Sequence, residues 1–254
     1  MKDKKINRTK IEKLAAVLFA LLVWHIVAVI VDSSMLLVTP IAVLKRLFSL
    51  LLERDFLSAV GFSFIRLVSG FLIALATGSV LAVIAGRFRF AQTMFWPFIV
   101  VIKSVPVVSF IILCLIWLSS RTLSIFIAFL MVLPIVYTNM LEGIKSTDKK
   151  LLEMAKLFNV NWFKKLKFIY LPHLKPYIIS ACSISIGLSW KAGTAAEVIG
   201  IPKGSIGEKL YEAKVYFSSV DLLAWTVVII VVSIVFEKLF LYFLNYFFER
   251  LESG

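Results

Sequence analysis

Few residues in this 254-residue chain have the type and spacing for chemistry. The two histidines, His25 and His173, stand far apart, and no H-E-x-x-H pattern ties a histidine pair to a carboxylate, so no metal is expected. Cys114 and Cys182 each sit inside an apolar run without C-x-x-C spacing, which suits small buried hydrophobes rather than a disulfide. Phosphate binding by a nucleotide hydrolase needs a G-x-x-x-x-G-K-[ST] loop. Lys203-Gly204-Ser205 has those residue types in the wrong arrangement, so the chain is not expected to hydrolyse ATP. With no gathered set of His, Asp or Glu, no catalytic residue and no cofactor is assigned.

What remains is a handful of isolated charges in or beside apolar runs: Arg66, Lys103 and Glu197. An ionisable group at membrane depth is costly unless it is paired or wet, so such residues are candidates for a solute pathway. Glu197 reads either as the external mouth of a pathway, near Lys191 or Arg66, or as a surface carboxylate at headgroup level. Lys103 reads either as a pathway or gating residue or as a side chain snorkelling to the inner headgroups.

The elements that would position these charges follow from composition. Of all residues 61% are hydrophobic and only 17% charged, against about 45–50% and about 25% in soluble domains. One soluble core cannot hide so much apolar surface, so the bilayer is the expected solvent. The net charge of +13 sits in short segments between apolar runs. That distribution fits cytoplasmic loops with a positive-inside bias and anionic lipid headgroups; no groove-docking motif is present, and nucleic acid is not an expected partner.

Apolar runs at 14–31, 67–86, 90–120, 122–141, 176–190 and 222–247 give an all-α, polytopic membrane protein of about six spans. Lys2, Lys4, Lys5, Arg8, Lys10 and Lys13 put the N-terminus in the cytoplasm, and the even count returns the C-terminus there. Residues 40–60 read as an external amphipathic helix. Residues 90–120 read as one long helix whose approach is interrupted by Pro97 and Pro106, with Arg121 at a tight outer turn. Residues 191–221 read as an external loop. Glu237 and Lys238, inside the last run, read as a pair.

The longest polar stretch is 142–175, with eight lysines against Glu142, Asp148 and Glu153. It reads as a helical hairpin. Thr147 or Asp148 caps the first helix, whose apolar face carries Leu151, Leu152, Ala155 and Phe158. Asn159 tolerates the left-handed conformation that ends it. Asn161 caps a second helix with Trp162, Phe163, Leu166 and Ile169, which Leu171-Pro172 ends. An apolar-faced hairpin in water needs a cover, either the membrane surface or a groove on another protein.

This stretch resembles the loop signature of binding-protein-dependent ABC permeases: Glu-Ala-Ala, three residues, Gly, nine residues, Ile-x-Leu-Pro. Glu153, Ala155, Asn159, Ile169, Leu171 and Pro172 fall in register, with Met154 for the middle Ala and Asn159 for the Gly. Arg66-Leu67-Val68-Ser69-Gly70-Phe71, the pair Pro97 and Lys103-Ser104-Val105-Pro106, and Ala195-Ala196-Glu197 are similar to further family features, the last to its sulfonate, nitrate and taurine branch. The resemblance implies a type I permease core at 62–247, behind an N-terminal region at 1–61 holding the basic tail, anchor and external helix. It implies an importer subunit in the bacterial inner membrane, forming the pathway for a small anionic organic solute. ABC ATPase subunits would dock on Leu152, Glu153, Ala155, Phe158, Asn159, Ile169, Leu171 and Pro172. A second permease chain, as a homodimer, and an extracytoplasmic solute-binding protein complete the expected partners. Arg66, Lys103, Pro106 and Glu197 are the candidate pathway or gating residues. The alternatives are a stand-alone channel or secondary carrier, which needs no ATPase, and a membrane enzyme, which needs a catalytic cluster.

Overall fold

The computed structural model describes the backbone of residues 2–31 and 37–253 and the side chains of 11–31 and 37–251. The side chains of Lys2, Lys4, Lys5, Arg8 and Lys10 therefore lie outside the described residues. Every regular element among the described residues is helical. The chain divides into two compact units: Met1–Ser58 with Lys209–Val228, and Ala59–Glu208 with Ile229–Gly254.

In the first unit, α1 (Lys2–Val31) contains an apolar stretch long enough to cross a bilayer, Ile11–Val31. Thr39 and Pro40 open α2 (Pro40–Leu51): the Ala42 amide donates to Thr39 Oγ1 at 3.4 Å, and Pro40 sits where a missing N–H costs nothing. The expected helix at 40–60 stops at Leu51, because the exposed Glu53-Arg54-Asp55 turn separates it from the next helix. Arg46 donates to Glu53 at 2.7 Å and pairs with Asp221. Burial disfavours the Arg46 charge, yet these two carboxylates outweigh it and raise the guanidinium above its ordinary value.

The second unit is built on α3 (Phe56–Arg87), α6 (Ser120–Lys145) and α9 (Leu171–Gly200), the first of which begins three residues earlier. A Cβ on Gly70 would strike the Ile125 carbonyl and Ala128, on Gly78 it would meet Val136 and Leu133, and on Gly86 it would meet Ile144. This ascending register shows α3 and α6 running parallel, with backbones close because the contact residues are small. The helix α9 runs antiparallel to both, since Gly193 abuts Leu67 and Gly200 abuts Leu123. Leu67, Phe71, Val132, Val136, Ile186 and Trp190 form the shared core.

Between these helices lie α4 (Arg89–Ser104) and α5 (Val107–Leu115), which meet at 100°. The single long helix expected at 90–120 is therefore two. Pro106 lacks the N–H needed to continue α4 and breaks it, whereas Pro97 is accommodated inside α4. Arg121 lies in the first turn of α6 rather than at the turn itself.

Among the described residues, four helices are long and apolar enough to cross a membrane: α1 over Ile11–Val31, α3, α6 and Ser219–Leu251 of α11 (Ser219–Ser253); counting the bent α4–α5 pair as one span gives five. Although α9 has the length, it is more polar, with Ser185, Ser189, Thr194 and Glu197 buried in it. Those residues face protein, so α9 does not need the composition of a lipid-facing helix. The expected loop at 191–221 is largely helical: α9 continues to Gly200, and α10 spans Ile206–Val215. Ala192, Gly193 and Ala196 fall within that expected loop, but they are the close-packing face of α9. Glu237 accepts a 2.5 Å hydrogen bond from Ser183, so its partner is a serine on α9 and not Lys238.

Candidate functional site

The lysine-rich hairpin begins with α7 (Lys149–Leu157). Asp148, not Thr147, is its cap: Asp148 Oδ1 accepts from the Lys150 amide at 2.8 Å, while Thr147 donates back to the Gly143 carbonyl. Asn159 ends the helix with φ 47°, and the Val160 and Asn159 amides donate to Ala155 O at 2.9 Å and Lys156 O at 3.1 Å. This paired closure is the motif usually completed by glycine. The short α8 (Trp162–Lys165) follows, with Asn161 extended at its cap position but making no side-chain capping bond.

Leu171-Pro172 does not end the second helix. A π-helical segment, Leu166–Tyr170, carries the chain directly into α9, with the Leu171 amide bonding Leu166 O five residues back. The wider turn accommodates Pro172, which can give no hydrogen bond to the preceding turn. Ala155 is buried at 2% exposure, whereas Leu157 at 82%, Phe158 at 76% and Phe163 at 75% stand open to solvent. Glu153 is exposed; Leu152, Ile169, Leu171 and Pro172 are half-buried. The hairpin is held at its base: Ser146 Oγ donates to Tyr177 Oη at 2.9 Å and lies 3.1 Å from His173 Nε2. His173 thus packs, half-buried, on the first turn of α9.

At the opposite ends of α6 and α9, Glu197 is fully buried. Ser63 on α3 donates to Glu197 Oε2 at 2.6 Å and accepts from the Ile206 amide at 2.9 Å; the Gly207 amide also points at Oε2, at 3.4 Å. A carboxylate and a serine thereby satisfy amides of the first turn of α10. The chain reverses tightly to do this. Ile201 takes φ 46°, a strained value for a β-branched residue, and Gly207 presses on the backbone of Glu197 where no Cβ would fit. Arg66, one turn from Ser63, is buried, donates to Ser120 O at 3.1 Å, and stacks its guanidinium on Phe62 at 4.5 Å. Its charge acts on Glu197, and Ser124 lies beside the same carboxylate. The headgroup-level surface carboxylate is therefore replaced by a buried one, whose neighbours include Arg66 and not the exposed Lys191.

Lys103 and Pro106 come together at the α4–α5 bend, beside a cavity of about 300 Å³ bounded by Lys103, Val107, Met131, Pro134, Ile135 and Leu188 among others. Sequence reasoning missed Ser63, Ser146 and Tyr177. For Ser63 the only signal was its three-residue spacing from Arg66, which puts both on one face of α3.

Residues 74–253 match the family model described as the binding-protein-dependent transport system inner membrane component. The chain is 25% identical over 223 residues to the putative aliphatic sulfonates transport permease protein SsuC of Bacillus subtilis (strain 168), covering 87% of this chain and 79% of that protein. It is 25% identical over 224 residues to the taurine transport system permease protein TauC of Escherichia coli (strain K12), covering 85% and 81%. With the bicarbonate transport system permease protein CmpB of Synechococcus elongatus it shares 26% identity over 152 residues, covering 59% and 55%. The family model covers well over half of the chain, and the long apolar helices agree with it: this chain belongs to the family of membrane-embedded, multi-pass inner-membrane components of binding-protein-dependent ABC transport systems.

Proposed function

We infer that this permease forms the transmembrane pathway of an importer for a small anionic organic solute, driven by ATP hydrolysis on separate subunits. Family membership implies association with an ATPase and a solute-binding protein. The anionic class rests on the relatives, whose names specify aliphatic sulfonates, taurine and bicarbonate. In this reading the chain crosses the inner membrane six times with both termini cytoplasmic, pairs as a homodimer, and leaves ATP hydrolysis to its partners.

The observation that carries the reading is the hairpin's exposed apolar face. Leu157, Phe158 and Phe163 stand open in a segment rich in lysine, on a scaffold closed by Asn159 and fixed at its base by Ser146 and Tyr177. Such a face is the surface expected of a docking element, fitting an apolar groove with an acidic rim. Leu152, Glu153, Ala155, Phe158, Asn159, Ile169, Leu171 and Pro172 are its proposed docking residues, and ATPase closure pulls on α6 and α9 through it. Arg66, Lys103, Pro106 and Glu197 are the proposed pathway and gating residues.

The test reconstitutes the permease with its ATPase and binding protein in vesicles. Glu153→Lys and Ala155→Arg are expected to abolish uptake and uncouple ATPase activity while the protein remains in the membrane. Unimpaired uptake by both variants overturns the docking assignment. Uptake without any ATPase subunit favours a stand-alone carrier.

A further inference from the structure

The cavity at the α4–α5 bend lies halfway along the helices that wall it. Its α6 residues, Met131, Pro134 and Ile135, are about 15–22 Å from either end of that 26-residue helix at 1.5 Å per residue. Leu188, its contribution from α9, is also central in a 30-residue helix. An independent register agrees. Lys145, in the last turn of α6, donates to Gln92 in the first turn of α4 at 2.7 Å. From that level, about 16 Å along each helix reaches Lys103 on α4 and Pro134 on α6, both in the cavity wall.

Two features at this depth call for a polar occupant. Lys103 makes no hydrogen bond or ion pair among the described residues, and its exposed side chain borders the cavity about 16 Å along α4 from Gln92. An unpaired ammonium at mid-membrane is sustained where it faces a wet cavity. The backbone is also broken at Val105 and Pro106, where the chain turns by 100°. Irregular backbone at this depth is tolerated where it is packed in protein or lines such a cavity. Apart from Lys103, the side chains of the lining are apolar.

We propose that this cavity is a subsite for a small organic anion, with the acidic headgroup on Lys103 Nζ and a short alkyl portion against Val107, Met131 and Leu188. A volume of about 300 Å³ is at the lower end of ligand cavities, which suits a small solute. The apolar wall favours an alkylsulfonate over bicarbonate, which has no alkyl part to bury. The importance of the subsite in uptake rests on the importer reading above; its affinity for anions does not.

The test uses the permease in its full complex in membrane vesicles, with Cys114→Ala and Cys182→Ala, and Val107→Cys as reporter. The probe is 2-sulfonatoethyl methanethiosulfonate, itself a small organic sulfonate; the cysteine thiolate forms a mixed disulfide and releases methanesulfinate. Its trimethylammonium counterpart is the cationic control. The anionic reagent is expected to react about tenfold faster relative to the control, since a charged, low-dielectric cleft concentrates counter-ions. Lys103→Glu is expected to reverse that preference, and Ile135→Cys is a second reporter should Val107→Cys fail to fold. Absence of labelling at both reporters, or a charge preference unchanged by Lys103→Glu, overturns the subsite. In the transport arm, Lys103→Gln is expected to raise the KM for ethanesulfonate about tenfold. If the reporter complex labels as expected but the wild-type complex takes up no ethanesulfonate, the subsite is supported and the substrate reading is overturned.

Discussion

Ser63 on α3 hydrogen-bonds Glu197 on α9 at 2.6 Å, and both side chains are completely buried. The same serine accepts from the Ile206 amide, so one hydroxyl joins a helix end, a chain reversal and the start of another helix. Removing the carboxylate leaves buried donors without an acceptor. Glu197→Ala is expected to cost about 2–4 kcal/mol, summing about 1–3 kcal/mol for each stranded group with incomplete additivity. Glu197→Gln keeps an acceptor for Ser63 and should lose less. Thermal unfolding of the purified complex in detergent separates the two variants.

Asn159 holds a left-handed conformation that closes α7. Asn159→Gly is expected to leave uptake intact, since glycine adopts that backbone freely. Asn159→Val is expected to destabilise the hairpin by about 1–2 kcal/mol and to lower uptake. Protease susceptibility at the hairpin, compared with uptake in the same vesicles, checks this.

Gly70 and Gly61 lie nine residues apart on α3 in opposite circumstances. A Cβ at Gly70 meets the Ile125 backbone carbonyl, while a Cβ at Gly61 meets nothing within 4 Å. Gly70→Ala is therefore expected to reduce the amount of folded permease sharply. Gly61→Ala is expected to be neutral or to stabilise by up to about 1 kcal/mol through helix propensity. Membrane abundance and thermal stability read both outcomes.

Arg46 and Asp221 join α2 to the first turn of α11 with both side chains about one third exposed, 31% and 29%. Solvent screens such a pair, so a double-mutant cycle with Arg46→Ala and Asp221→Ala is expected to give a coupling of about 0.5–1 kcal/mol. The coupling should shrink as salt is raised.

Membrane residence was legible in composition alone, because a chain that is 61% hydrophobic has no other solvent for its surface. The hairpin was legible too. Asp148 and Asn159 act through their own backbone neighbours, so local sequence determines them. Asn161 and Leu171-Pro172 mark the limit: the structure gives Asn161 no capping bond and carries a π segment through to α9. Packing of Tyr177 and Leu174 on Gly143 joins that helix start to α6, and such long-range contacts override a local stop signal.

The sequence by itself determined the solvent, the helical class and the hairpin, since each depends on composition or on residues a turn apart. Tertiary structure alone decided that Glu197 is buried with Ser63, 134 positions away, that Glu237 answers to Ser183, and that Lys103 lines a cavity beside the middle of α6. The physical reason is that a charge's environment is set by whichever helices pack around it. Here that packing is set by glycines on α3 and α9 that let the backbones approach, and by a bend at Pro106 whose angle no local pattern specifies.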